Sequence, residues 1–314
     1  MEAEKTMKKM MFALIILLLA VSGCSNAAST KEKASKKLQI VTTFYPMYYF
    51  TEKVAGDLAD VELLIPNGVE PHDWEPSTKD MAKIQDADVF IYNSQYFETW
   101  AEKVLKSVKN DELKVVEASD GIELMDALET EEEDDHEHAS SKDPHVWLSP
   151  VLAQQEVKTI AKALEQADPA HKEQYQQNAD ALNSQLVELD QLYKETIDQA
   201  KTKEFVTQHA AFGYLANQYG LTQIPIAGLS PDVEPTLRKL SELTEMTKEK
   251  NVKVIYFEEM TSAKVAKTLA KEIGAKTEVL NPLEGLTKEE QDQGLDYIGV
   301  MEKNLEALKL TLMN

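Results

Sequence analysis

Eight short apolar segments, each followed by helical or loop-forming sequence, set the strongest limit on how this chain folds. The stretches between them, such as TKDMAKIQD and SAKVAKTLAKEIGA, carry apolar residues three and four positions apart, as amphipathic helices do. Alternation of buried strands with helices is typical of parallel sheets in α/β domains. The segments form two sets of four, which predicts an α/β fold with two similar lobes. They are LQIVTT (38–43), VELLI (61–65), DVFIY (88–92), KVVEA (114–118), FVTQ (205–208), QIPIAG (223–228), VKVIYF (252–257) and KTEVL (276–280).

The region between the two sets has a different pattern. Ser149-Pro150 and Asp168-Pro169 each look like a helix N-cap followed by proline at the first helical position. Beyond Asp168, apolar residues recur at spacings of four and three, which predicts one continuous helix with a narrow apolar stripe. The stripe consists of Tyr175, Ala179, Leu182, Leu186, Leu189 and Tyr193.

These patterns divide the chain into an N-terminal lobe over residues 38–166, a long rigid helix over 167–201 and a C-terminal lobe over 202–314. A coiled coil is the alternative for the stripe, but the stripe is short and lies between two α/β lobes. We therefore interpret it as a connector that packs along both lobes. Its stiffness is expected to limit a wide hinge motion.

The N-terminus resembles an export signal. Three lysines precede an apolar core of 11 residues, MFALIILLLAV (11–21), which is too short to span a bilayer about 30 Å thick as a helix. Val21-Ser22-Gly23-Cys24 then resembles a bacterial lipobox, in which the cysteine carries the lipid. The alternative is an ordinary cleaved signal with an incidental cysteine, and Met7 is an alternative to Met1 as the start.

This N-terminal pattern predicts where the protein is found. Residues 1–23 are expected to be a lipoprotein signal peptide, with Cys24 as the lipidated first residue of the mature chain and residues 24–37 as a flexible tether. The protein is then expected on the outer face of the cytoplasmic membrane, anchored by lipid. Since Cys24 is the only cysteine of the chain, disulfides, thiolate metal sites and thiol nucleophiles are excluded.

The charge balance excludes one large class of partners. The formal net charge is −22, and Arg238 is the only arginine. Nucleic-acid binding depends on clustered lysine and arginine, so no nucleic-acid partner is expected.

The segment ETEEEDDHEHASSKD (129–143) is compositionally unusual. It holds eight acidic residues and two histidines, His136 and His138, with almost no apolar residues. Such a sequence is expected to form a mobile surface loop, because it cannot bury enough apolar surface to order itself. Weak cation capture by the two histidines is one interpretation, and a solvated loop without a role is the other.

Three of the six histidines lie where ligands bind in α/β folds. His72 follows the second apolar segment, His145 precedes a helix start, and His209 ends the segment FVTQH. Ligands bind at the carboxyl ends of strands in open α/β sheets, and imidazole is a good ligand for zinc, copper, iron and nickel. The joint pattern predicts a transition-metal site with a fourth ligand from the second lobe. His171, in the polar first turn of the connector, is expected at the surface.

A carboxylate from the second lobe is expected to complete such a site. Glu258 and Glu259 follow the segment VKVIYF, and Glu284 follows KTEVL. The sequence pattern alone does not select one of these three carboxylates as the ligand. Either Glu258 or Glu259 is also placed to accept the free N–H of a ligand histidine. Nearby aromatic residues are interpreted as core packing, with exclusion of water as the alternative; they are Phe44, Tyr45, Trp74, Trp147 and Phe212.

Several motifs along the chain resemble one family. They are TTFYP (42–46), PNGVEPHDWEPS (66–77), the acidic histidine-containing segment, DPHVWLSP (143–150), HAAFGYLANQYGL (209–221), GLSPDVEP (228–235) and VLNPLEGLT (279–287). The chain resembles the cluster A-I solute-binding lipoproteins of metal-importing ABC transporters, and their zinc-binding branch in particular. The resemblance implies two (β/α)4 lobes with parallel sheets, joined by a long rigid helix.

Residue by residue, the resemblance implies that His72, His145, His209 and Glu284 bind the metal. The manganese branch has a carboxylate where this chain has His209, so three imidazoles and one carboxylate favour Zn²⁺ as the transported ligand. One departure is the short acidic segment, which has two histidines where many zinc-binding members carry long histidine-rich tracts.

The resemblance implies a binding protein and not an enzyme. A monomer would capture Zn²⁺ between its lobes and pass it to a membrane permease with its ATPase, in a Gram-positive bacterium. The alternatives are a manganese-binding relative, a zinc-dependent hydrolase or hydratase that uses three histidines and an open coordination position, and an adhesin, as some relatives have been described.

Overall fold

The structure, a computed structural model, describes residues 37–127, 142–231 and 235–314. The predicted signal peptide, the lipidation site Cys24, the tether up to residue 36 and most of the acidic segment lie outside these residues. Within the described residues, no helix combines the length and apolar character needed to cross a membrane.

The first lobe is built on a parallel four-stranded sheet with the order β2–β1–β3–β4. Its strands are β1 (Leu38–Thr42), β2 (Ala59–Leu63), β3 (Val89–Tyr92) and β4 (Lys114–Glu117). Its helices are α1 (Tyr45–Ala55), α2 (Thr78–Asp86) and α3 (Ala101–Leu105). Strand β3, with the sequence VFIY, is buried along its whole length, as a central parallel strand must be when helices cover both faces.

Two helices follow the first lobe. Helix α4 (Pro150–Ala167) begins as predicted, because the Ser149 hydroxyl accepts a hydrogen bond from the amide of Leu152. Helix α5 (Lys172–Ile197) is 26 residues long and carries the predicted apolar stripe, all six residues of which are buried.

The start of the long helix differs from the prediction. A 3₁₀ turn over Pro169–His171 precedes α5, so the helix begins at Lys172 and not at Pro169. The reason is that the Asp168 carboxylate does not cap backbone amides. It instead accepts hydrogen bonds from Nδ1 of His171, at 2.6 Å, and from the Tyr175 hydroxyl, at 3.0 Å. His171 is half-exposed and takes no part in the histidine cluster described below.

The second lobe repeats the first, with a parallel four-stranded sheet in the order β6–β5–β7–β8. Its strands are β5 (Glu204–Thr207), β6 (Thr222–Pro225), β7 (Val254–Phe257) and β8 (Lys276–Val279). Its helices are α6 (Gly213–Tyr219), α7 (Leu237–Glu249), α8 (Lys264–Ile273), α9 (Lys288–Asp292) and α10 (Tyr297–Leu312). The predicted two-lobe α/β fold is thus confirmed.

One hydrophobic core runs from the first lobe through α5 into the second lobe. Asn178 of α5 donates a hydrogen bond to the carbonyl of Val54 in α1, and Tyr193 of α5 donates one to the carbonyl of Met301 in α10. The connector therefore packs along both lobes. A smaller apolar cluster lies apart in the second lobe, around residues such as Ile255 and Leu269.

Two aromatic rings join the lobes directly within this core. Tyr49 of α1 stacks on Tyr297 of α10 with ring centroids 5.7 Å apart, and its hydroxyl donates to the carboxylate of Asp296 at 3.1 Å. Aromatic pairs in this distance range are stabilising beyond the area that they bury. The lobes are therefore held together by direct contact as well as through α5.

Candidate metal centre

Three histidines and one glutamate from four different loops meet between the lobes. His72 follows β2, His145 immediately precedes the 3₁₀ turn Val146–Leu148, His209 lies two residues beyond β5, and Glu284 follows β8. One ligand atom from each of the four lies within 4.8 Å of those of the others. The structure thus brings together all four residues that the sequence analysis named.

The Oε1 atom of Glu284 lies at the centre of the cluster. It is 3.1 Å from Nε2 of His72 and 3.5 Å from Nε2 of both His145 and His209. The Nε2 atoms of His145 and His209 are 3.4 Å apart. All three imidazoles therefore present the same ring nitrogen to one point, as in a four-ligand metal site with nitrogen and oxygen donors.

The cluster is almost closed to solvent. The side chains of His145 and His209 are fully buried, Glu284 is 1% exposed, and His72 is 11% exposed. Burying polar and ionisable groups is costly unless they are hydrogen-bonded, paired or bound to a metal. The arrangement is therefore suited to a small dehydrated cation, with His72 as the ligand that solvent reaches.

Two further carboxylates lie behind the histidines. Nδ1 of His145 is 2.8 Å from Oδ1 of Asp143, and Nδ1 of His209 is 2.5 Å from Oε1 of Glu258. An ionised carboxylate only accepts hydrogen bonds, so the proton on Nδ1 of each ring is retained, and Nε2 is the nitrogen that offers its lone pair once the ring is neutral. Glu258 therefore occupies the role that the sequence left open between Glu258 and Glu259.

The carboxylates favour positive charge in the pocket. Burial lowers the pKa of His209, but Glu258 and Glu284 more than offset this effect and raise the pKa to about 10. The pKa of His145 is also raised, since Asp143 and Glu284 outweigh its burial. For Glu284, burial raises the pKa, but the three histidines hold it well below its usual range. The same charges would stabilise a divalent cation.

The comparisons with known proteins agree with this geometry. Residues 40–310 match the family described as "Zinc-uptake complex component A periplasmic". The chain belongs to this zinc-uptake family. Membership confirms the resemblance that the motifs indicated, and it places the chain among the binding components of zinc transport and not among enzymes.

The relatives of this zinc-uptake protein include two curated proteins of Gram-positive bacteria. The high-affinity zinc uptake system protein ZnuA of Bacillus subtilis is 55% identical over 309 residues, which cover 96% of this chain and 97% of that protein. The zinc-binding lipoprotein AdcA of Streptococcus pneumoniae is 51% identical over 304 residues. The match covers 94% of this chain but only 60% of AdcA, which is the longer protein.

Solved structures of the family have the same fold. The Zn(II)-bound ZnuA-like domain of S. pneumoniae AdcA is 50% identical, has a TM-score of 0.77, and is matched over 89% of this chain and 100% of that domain. The metal-dependent lipoprotein YcdH from B. subtilis is 57% identical, also with a TM-score of 0.77, and is matched over 88% of this chain and all of that one.

Aromatic rings surround the histidines of this zinc-uptake protein. The ring of Phe97 meets that of His72 at 4.9 Å, and the ring of Trp147 meets that of His145 at 5.2 Å. Phe44 packs on both aromatic residues, at 4.5 and 4.8 Å. Phe44 and Trp147 are thus core residues, as predicted, and Trp147 also forms a wall of the centre. Phe97, in the loop between β3 and α3, carried no sequence signal.

The remaining candidates lie elsewhere or act indirectly. Glu259 follows Glu258 in the sequence, but it lines a separate acidic cavity of about 450 Å³ between β8, α9 and α10. Asp143 was assigned to the mobile acidic segment, yet it is 4% exposed and contacts His145. Asp143, which the structure describes, is therefore not part of a mobile surface loop. His136 and His138 lie outside the described residues.

Proposed function

We propose that this chain captures Zn²⁺ between its two lobes with His72, His145, His209 and Glu284 and delivers it to an ABC-type importer. The observation that carries the proposal is the convergence of three Nε2 atoms on one buried carboxylate oxygen. Support also comes from the relatives, which are named as zinc uptake and zinc-binding proteins.

The donor set favours zinc over manganese. Three imidazoles and one carboxylate make a soft, nitrogen-rich site, whereas Mn²⁺ prefers carboxylate, carbonyl and water oxygens. His209 is decisive in this argument, because a carboxylate in its place would give two nitrogen and two oxygen ligands. Zn²⁺ is the cargo of this site and not a resident cofactor.

The same donor set is suited to holding the metal and not to using it in catalysis. A structural or transport zinc site has four protein ligands, whereas a catalytic one keeps a position for water. If Glu284 binds as proposed, the fourth position is filled. Each lobe supplies two of the four ligands. The first lobe (38–166) supplies His72 and His145, and the second (202–314) supplies His209 and Glu284. The connecting helix (167–201) holds the two lobes in fixed positions.

Delivery requires that the protein stay close to its partner. We infer that Cys24 carries a lipid after removal of residues 1–23, and that residues 24–37 tether a monomer to the outer face of the cytoplasmic membrane. There it would meet a permease with its ATPase. The lipobox-like sequence VSGC supports the anchor, as does the printed name of AdcA, a lipoprotein.

The test is metal analysis of the purified protein by native mass spectrometry, with the variants His209→Glu and His171→Ala. We expect one zinc per chain in the wild type and in His171→Ala, because His171 lies outside the cluster. His209→Glu should lose affinity for zinc and shift toward manganese. Retention of full zinc affinity by His209→Glu, or a wild type that takes up no zinc, would refute the proposal.

A further inference from the structure

The first turn of α6 contacts the loop that holds His145, although the two belong to different lobes. Gly213 and Tyr214 begin this helix in the second lobe, four and five residues after His209. Asp143 lies in the first lobe, two residues before His145. The contacts between these residues are separate from the direct contact between the two histidines.

The Tyr214 hydroxyl forms hydrogen bonds with one residue before and one residue after residues 128–141. Its hydroxyl donates to the carbonyl oxygen of Asp143 at 2.6 Å and accepts from the amide of Met125 at 2.8 Å. The amide of Asp143 in turn donates to the carbonyl of Met125 at 2.9 Å. One hydroxyl thus closes a small hydrogen-bonded ring, and burial with the nearby charge of Asp143 raises the pKa of Tyr214, so that it remains a donor.

Gly213 leaves room for the Asp143 carboxylate. A Cβ atom at position 213 would lie 2.7 Å from Oδ2 of Asp143, which is closer than such atoms approach in proteins. The other oxygen, Oδ1, accepts from both the amide and Nδ1 of His145, at 2.9 and 2.8 Å. The carboxylate is therefore held between α6 on one side and the ligand ring on the other.

We propose that Gly213 and Tyr214 are positioning residues for zinc binding, which hold Asp143 and, through it, orient His145 toward His209. The inference rests on the proposed function, since it assigns a role within the same metal centre. Helix α6 would then connect the two lobes' histidines: it continues the chain from His209 and fixes the carboxylate that orients His145. Partners of this kind, one step removed from the metal, typically change metal affinity by 10- to 100-fold.

The test compares Tyr214→Phe with Tyr219→Phe. Both tyrosines lie on α6, and the Tyr219 hydroxyl donates to the carboxylate of Asp190 at 3.0 Å, away from the metal centre. Each variant keeps its ring and loses a hydroxyl. The measurements are zinc affinity against a competing chelator, the visible spectrum of the protein loaded with Co²⁺, and the melting temperature.

We expect Tyr214→Phe to bind zinc about tenfold more weakly and to change the Co²⁺ spectrum, which reports ligand geometry. Tyr219→Phe should leave both unchanged even if the two variants melt at the same lowered temperature. Gly213→Ala is the second variant and should weaken binding through the Asp143 carboxylate. In an Asp143→Ala background, Tyr214→Phe should cause no further loss, because Tyr214 acts through Asp143.

The outcomes separate this inference from the proposed function. A wild type that binds no zinc would overturn both. A wild type that binds one zinc, together with a Tyr214→Phe variant of unchanged affinity and Co²⁺ spectrum, would overturn only the positioning role. Equal losses of affinity in Tyr214→Phe and Tyr219→Phe would also overturn it, since they would show a general effect on the fold.

Discussion

The carboxylate of Glu258 lies 2.5 Å from Nδ1 of His209, on the side of the ring opposite the Nε2 atom that faces Glu284. The imidazole is thus held between two carboxylates. This geometry fixes the ring plane of His209 before any metal arrives and keeps hydrogen on Nδ1 when Nε2 binds the metal, which is how outer carboxylates increase the affinity of histidine ligands.

Replacing Glu258 should therefore weaken zinc binding without removing a ligand. We expect Glu258→Gln to lower zinc affinity 10- to 100-fold, because the amide keeps the shape of the side chain but removes its charge. The measurement is a competition titration with a chelator. Glu259→Gln is the matched control, since Glu259 lines the separate acidic cavity. Equal affinities of Glu258→Gln and the wild type would contradict this role.

Zinc binding at pH 7.5 should release protons. The pKa of His209 is raised to about 10 and that of His145 is also raised, so His209 is protonated at pH 7.5 before metal binding. Zinc binds the deprotonated ring, so each protonated imidazole must lose its proton. Calorimetry in buffers of different ionisation enthalpy measures the number released, and the absence of any buffer dependence would be inconsistent with these raised pKa values.

For the same reason, zinc affinity should fall as the pH is lowered from 7.5 to 5. Over this range, protons compete increasingly well with zinc for His145 and His209, whose pKa values are raised. Zinc titrations at the two pH values check this expectation. Equal affinity at both would argue against imidazole ligands.

A buried glutamate outside the metal centre should make stability depend on pH. Glu156 of α4 is fully buried, and neither carboxylate oxygen has a hydrogen-bond partner among the described residues. Burial, with a contribution from Glu98, raises its pKa well above 4.5. The folded state therefore binds a proton that the unfolded state loses, so this contribution to stability is complete below pH 4.5 and declines as the pH rises.

The variant Glu156→Gln should remove this dependence. Where the folded state binds one proton more than the unfolded state, the free energy of unfolding falls by about 1.4 kcal/mol for each unit by which the pH rises. We expect Glu156→Gln to gain stability relative to the wild type between pH 5 and pH 8, as measured by thermal unfolding of the metal-free protein. A constant difference between the two proteins over this range would show that Glu156 does not bind the proton.

Deletion of residues 129–141 should leave the primary site intact. Asp143 remains in this variant, together with Lys142, which forms an ion pair with Asp126 at 2.6 Å. We expect unchanged affinity for the first zinc and, at most, loss of weaker binding. A large loss of primary affinity would show that the deleted segment supplies a ligand.

The sequence predicted the fold well because each element carried its own local signal. The eight apolar segments became eight strands, with ends shifted by at most three residues; the largest shift is that of QIPIAG, where the strand stops at Pro225. Backbone hydrogen bonds to the β5 segment nevertheless continue beyond Pro225, from the amide of Ile226 to Thr207 and from that of Ala227 to Gln208. The failure at Asp168 has a local cause: two side chains compete successfully for its carboxylate.

The metal centre was predictable only in part. The three histidines were visible as residues beyond strand ends or before a helix start, but the choice of Glu284 over Glu258 came from the family resemblance. Nothing in the sequence shows that Glu284 faces Nε2 of His209 while Glu258 contacts Nδ1, because that depends on how the loops after β5, β7 and β8 pack against one another. Asp143 was hidden by its acidic neighbours, and its burial against Gly213 is a tertiary contact.

The stacking of Tyr49 on Tyr297 across the lobes has a practical consequence for anyone who builds a zinc sensor from this protein. Fluorophores placed one on each lobe would change their separation little, because the shared core keeps the lobes together. Neither half would serve as an independent fragment for reconstitution, since each buries its aromatic residues against the other. A reporter dye should instead be placed near His72, where the environment of the ligand meets solvent.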